Sequence, residues 1–98
     1  MKSVNSFEKP EYQTQSDEKT EAFYNISGVE KADSNEYEEA IKEFTKAIGL
    51  NPMDAKSYFN RATLRVRIGD IEGARSDFRM AEYCRRASVI ERRDYPQL

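Results

Sequence analysis

The chain has 98 residues, 38% of them apolar and 35% charged, with a formal net charge of −2. That length holds one domain at most, and the charge balance points neither to nucleic acid nor to an anionic membrane. With no histidine and one cysteine, Cys84, the chain lacks the commonest general base, an internal disulfide and a zinc-ligand set. No catalytic residue, metal or cofactor is expected. No apolar run is long enough to span a bilayer, and Met1-Lys2-Ser3-Val4-Asn5 is not followed by a secretory apolar core, so a cytoplasmic location is expected.

Residues 1–19 hold mainly Ser, Asn, Gln, Glu and Lys, with Val4, Phe7 and Tyr12 as the larger apolar groups. That apolar area cannot offset roughly 1–2 kcal/mol of backbone entropy per ordered residue, so a disordered tail is expected. Helices are expected over 20–33, 36–49, 54–68 and 71–86. Ser34-Asn35 and Gly69-Asp70 break the helical pattern, and Asn35 and Asp70 are read as N-caps whose side chains accept from first-turn amides. Glu38, three residues after Asn35, completes a capping box in this reading. Asn51-Pro52 ends the second helix, because Pro52 has no amide and disfavours helix at Asn51. Asp54 caps the third.

The apolar positions recur at three- and four-residue steps. Tyr37, Ala40, Ile41, Phe44, Ala47 and Ile48 make one stripe, and Ile71, Ala74, Phe78 and Ala81 make another. Shifting the chain by 34 residues superposes them. Tyr24 falls on Tyr58, Gly28 on Ala62, Lys31 on Arg65, Tyr37 on Ile71, Ala40 on Ala74, Phe44 on Phe78 and Ala47 on Ala81. Two antiparallel helix pairs are expected, with Tyr24, Phe44, Ile48, Tyr58, Leu64 and Phe78 in the core and Gly28 letting the backbones approach.

This register resembles the tetratricopeptide repeat. Tyr24, Gly28, Ala40, Phe44, Ala47 and Pro52 match its pattern in the first copy, and Tyr58, Ala62, Ala74, Phe78 and Ala81 match it in the second. The resemblance implies an all-α helix-turn-helix array of two repeats, a right-handed superhelical solenoid fragment. The repeats would occupy 21–54 and 55–88 of a 20–88 domain, with 89–98 as a C-terminal capping segment. Ser27 and Arg61 stand where the family often has Leu, and Lys31 and Arg65 where it often has Tyr. Arg86 replaces the second Pro, so the last helix can run on through Val89 and Ile90, or a short fifth helix can follow, until Tyr95-Pro96. Val89 and Ile90 are expected to cover the open end of repeat two, since helical arrays need a terminal cap.

In this family the first helix of each pair lines a concave, peptide-binding groove. Here that face would carry Asn25, Val29, Lys56, Phe59, Asn60, Thr63 and Arg67. Because Tyr58 takes the core position, Phe59 should point elsewhere and supply contact area. Asn60-Arg61-Ala62 resembles part of a carboxylate clamp found in one subtype, but Asn25 and Val29 stand where that clamp needs Lys and Asn. The expected role is a non-catalytic scaffold binding another protein, as a peptide segment or helix with an acidic group, and neither nucleic acid nor membrane. Charge divides along the chain: 21–54 hold three lysines against eight acids, and 55–98 hold ten bases against six acids. The alternative role is therefore a structural subunit that self-associates weakly through its repeat ends.

Overall fold

The computed structural model describes residues 19–97, with side chains through Ile90. It contains four helices and no strand among the described residues: α1 (Glu21–Asp33), α2 (Tyr37–Leu50), α3 (Ala55–Arg67) and α4 (Ile71–Gln97). Apart from Lys19, the expected tail lies outside the described residues.

Local chemistry sets the helix ends. Thr20 opens α1, its hydroxyl accepting from the Phe23 N–H at 3.2 Å. Asp54 opens α3 by accepting from the Lys56 N–H at 3.2 Å, and Asp70 opens α4 by accepting from the Gly73 N–H at 3.0 Å. Asn35 is not the N-cap expected of it, and there is no capping box with Glu38. Helix α2 starts from Glu36 without a side-chain cap, and Asn35 sits in the left-handed region at φ 64°. The reason is the closure of α1. Asn35 N–H donates to Ala32 C=O at 2.9 Å and Glu36 N–H to Lys31 C=O at 2.8 Å, a pairing that requires a left-handed residue at the turn. Gly69, φ 88°, closes α3 identically, with Gly69 N–H on Val66 C=O at 3.0 Å and Asp70 N–H on Arg65 C=O at 2.8 Å. One turn motif thus serves both repeats, and Asn fills it because its short polar side chain tolerates that conformation.

The helices pack in chain order. Asn51, just past α2, donates to Glu21 at the start of α1 at 3.1 Å, which makes the first pair antiparallel. A Cβ on Gly28 would lie 2.8 Å from the Phe44 ring, so Phe44 rests directly on the α1 backbone and is only 2% exposed. Around it pack Ala40 and Leu64, with Ala32, Tyr37 and Ile41 at the edge. A second cluster joins Tyr58, Ala81 and Cys84, flanked by Ile48, Ala55 and Met80.

Phe78 does not repeat the burial of Phe44, contrary to the expectation from the stripe. It is 37% exposed. Leu64 of α3 packs on Phe44, whereas no described helix packs in the same way on Phe78, which lines an open hollow with Val66, Ile71 and Ala74. Of the expected cap over 89–98, side chains are described only for Val89, which is half-buried, and Ile90. Helix α4 continues unbroken to Gln97, Ile90 is 58% exposed, and Val66 and Ile71 stay uncovered. The Cys84 Sγ lies 3.8 Å from the Pro52 carbonyl, so beyond Cys84 the helix passes the α2–α3 loop instead of turning back onto repeat two. With Arg86 in place of a proline the amide ladder is uninterrupted, and adding a residue to an existing helix costs less than nucleating a new one. No described helix is long and apolar enough to cross a membrane.

Candidate functional site

Helices α1 and α3 lie side by side on one face of the array. On α3 the buried Tyr58 faces inward, and one residue further round the helix Phe59 points out, 54% exposed. Between the two helices lies a concavity of about 440 Å³, floored by Phe44 and Leu64. Val29, Phe59, Asn60, Thr63 and Arg67, five of the seven expected groove residues, line it together. Lys56 does not. It lines an adjoining hollow of about 540 Å³ with Phe59, Phe78, Ala81, Glu82 and Arg85. Phe59 is the ridge between the two hollows, and its ring meets Phe78 edge-on at 5.5 Å.

Two groove side chains are already engaged locally. The Thr63 hydroxyl donates back to the Phe59 carbonyl at 3.0 Å. Arg67 donates to the Tyr37 hydroxyl at 2.7 Å and stacks its guanidinium 5.4 Å from that ring. Tyr37 in turn donates to Asn35 Oδ1 at 3.0 Å. Tyr37 and Asn35, together with Asp33, therefore form a groove wall that the helical stripe did not reveal, because periodicity alone does not show which side chains α3 approaches.

Asn25, the seventh expected residue, is committed inside the fold. Its amide donates to Asp54 at 3.2 Å, while the Ser57 hydroxyl sits 2.9 Å from its carbonyl oxygen and 2.6 Å from Asp54. It braces α1 against the start of α3 and leaves little to offer a ligand. The brace is electrostatically tuned. A hydrogen bond with Asp54 raises the Glu21 carboxyl above its usual range, opposed by the bond from Asn51. Burial pushes Asp54 upward, but hydrogen bonds from Glu21, Ser57, Asn25 and the Lys56 amide outweigh it and hold Asp54 low.

Sequence reasoning missed a buried acid on the opposite side of α3. Asp77 is nearly inaccessible and accepts two bonds from Arg61, both 2.8 Å, and one from Arg65, also 2.8 Å. Arg61 also donates to Thr45 at 3.0 Å, reaching from repeat two to repeat one. Its guanidinium is held charged by Asp77 against the cost of burial. Arg61 and Arg65, which depart from the expected pattern, are thus explained by one carboxylate on α4. The available signal was an acid beside Phe78 facing two arginines spaced four apart. No buried side-chain polar atom among the described residues lacks a partner. Cys84 is buried, and burial raises its thiol, with the Asp54 charge adding to this.

Residues 28–69 match the family described as TPR repeat. The chain is similar to the tetratricopeptide repeat protein 36 homolog of Nematostella vectensis, 41% identical over 58 residues that make up 59% of this chain and 32% of that protein. It is 36% identical over 56 residues to tetratricopeptide repeat protein 36 of Danio rerio, covering 57% and 30% respectively. It is 38% identical over 56 residues to an uncharacterized protein of Methanocaldococcus jannaschii, covering 57% and 65%. The chain spans about a third of the length of the first two relatives. No solved structure matches it significantly.

Proposed function

Because the chain belongs to the tetratricopeptide repeat family, whose repeats generally mediate protein–protein interaction, we propose that it is a non-catalytic module docking a segment of another protein on the α1–α3 face. The observation that carries this reading is Phe59. A half-exposed aromatic on a ridge between two hollows, with Asn60 and Arg67 on one side and Lys56 on the other, is the composition of a contact surface. Phe59 supplies apolar area, Asn60 pairs with ligand backbone, and the two bases favour an acidic group. Arg67 still has donors beyond the one on Tyr37, and its planar fork suits a carboxylate, while Lys56 acts as a point charge.

A surface this short binds weakly, with a dissociation constant of about 1 μM, or about −8 kcal/mol. The test is a native-extract pull-down with wild type, Phe59→Ala and Lys56→Glu in parallel, followed by affinity measurement on the partner recovered. Each variant should weaken binding by roughly tenfold, the scale of losing an interface anchor, while the melting temperature stays nearly constant. Unchanged affinity in both removes the groove as the site.

A further inference from the structure

A second groove lies outside that face, between α3 and α4. Its volume is about 500 Å³, its floor is Val66, Ile71, Ala74 and Phe78, and Arg75 and Arg79 stand on its rim. Under the 34-residue shift these floor residues are the counterparts of Ala32, Tyr37, Ala40 and Phe44, the surface onto which α3 packs its Leu64. The groove is therefore the seat of a following first helix. No described residue fills it, since α4 runs straight on where α2 turns at Asn51-Pro52.

We propose that the occupant is α1 of a second copy of this chain, continuing the repeat register head to tail. Moved forward by 34 residues, the contacts at the seam between the repeats become the contacts of this junction. Ser57 against Asn25, 2.9 Å, becomes Phe23 of the second copy against Phe59, and a polar pair becomes an aromatic pair. Arg61 donating to Thr45, 3.0 Å, becomes Arg79 donating to Ser27 of the second copy, with donor and acceptor exchanged between the helices. Leu64 and Ile41, which share one apolar cluster across the seam, become Glu30 of the second copy and Arg75, and an apolar pairing becomes an ion pair. Three seam contacts change their chemistry on both sides at once and stay matched. Two others, Arg67 on Tyr37 and Asn25 on Asp54, become Asp33 of the second copy beside Ile71 and Thr20 of the second copy beside Phe59, and are not matched. Phe23 is 44% exposed, and Glu30, Arg75 and Arg79 lie on the surface, with Arg75 held by an exposed pair to Glu72 at 3.3 Å that it would share with or give up to Glu30 of the second copy. The association joins two different surfaces, so it is open-ended and does not stop at a dimer.

The test is sedimentation velocity on the full chain across a concentration series at low salt. The weight-average mass should climb with concentration past the dimer, and fall back as salt screens the Glu30–Arg75 pair. Glu30→Arg and Arg75→Glu each place like charges opposite one another, which should weaken association roughly tenfold or more. Neither residue belongs to the α1–α3 groove, so failure here is separable from failure there. An equimolar mixture of the two variants should associate again, because every mixed junction pairs opposite charges. Circular dichroism on each variant checks that the helices persist. Wild type that stays monomeric throughout overturns the proposal and leaves the groove to another protein's helix. Single variants that associate like wild type, or a mixture that remains monomeric, overturn it equally.

Discussion

Replacing Asp77 by Ala leaves two guanidinium groups, Arg61 and Arg65, beside an empty buried site. Their side chains are 13% and 25% exposed, so water recovers only part of the lost interaction. Breaking a buried ion pair costs about 3–5 kcal/mol, and the partial exposure brings the expected loss to about 2–3 kcal/mol by denaturant unfolding. The two phenylalanines of the repeat should then differ sharply. Phe44→Ala removes a fully packed ring and should cost about 3–5 kcal/mol, enough to unfold most of a domain this small. Phe78→Ala removes a ring that water already reaches, and should cost about 1 kcal/mol. Gly28→Ala puts a methyl group 2.8 Å from the Phe44 ring and should cost about 1–3 kcal/mol by pushing that ring out. Thermal melts of these variants rank them directly, and equal losses for Phe44→Ala and Phe78→Ala would contradict the packing described.

Turns and helix junctions respond differently. Gly69→Ala places a Cβ in the left-handed region and should cost about 1–2 kcal/mol, whereas Asn35→Gly relieves the same conformation and should be close to neutral after losing the Tyr37 bond. The α1–α3 brace adds a dependence on pH. Glu21 is held above its ordinary value of 4.5, so its ionisation costs the folded state more than the unfolded one at neutral pH. Glu21→Gln should therefore raise the melting temperature slightly at neutral pH, with the difference closing as pH falls to 4.5 and below, where both states are protonated. Asp54 has the opposite sign. Its carboxylate is held below the ordinary 3.8, so its stabilisation is present at neutral pH and is lost as pH falls through and below that value. Asp54→Asn should destabilise at neutral pH and differ little from wild type in strong acid. Melting curves collected across pH for both variants separate the two signs.

For the molecule as a whole, two repeats leave one end face uncovered, and the exposed apolar residues Val66, Ile71 and Phe78 are the direct consequence. A partner bound to that face stabilises the folded chain by mass action. If copies of the chain supply that partner, the melting temperature should rise with protein concentration at low salt. The rise should be absent in Arg75→Glu, whose melting temperature at high dilution should lie only slightly below that of wild type, through loss of the exposed Glu72 pair.

What the sequence by itself determined was the set of features whose cause is local or periodic. Four helices, their ends at Asn51-Pro52 and Asp54, and the burial of Phe44 against Gly28 follow from propensity, capping and a pattern repeated at 34 residues. The outward direction of Phe59 also follows, because the next residue on a helix lies about 100° round from the core position. Only the tertiary structure decided matters that depend on what another helix presents. Asn25 looked like a groove residue until Ser57 and Asp54 were placed beside it. Arg61 and Arg65 looked like departures until Asp77 faced them. Phe78 shares the helical position of Phe44 but not its burial, because α3 covers Phe44 with Leu64 while no described helix follows to cover Phe78. Periodicity places a side chain on a face, whereas burial depends on the volume and charge of the surface opposite, and those come from residues distant in the chain.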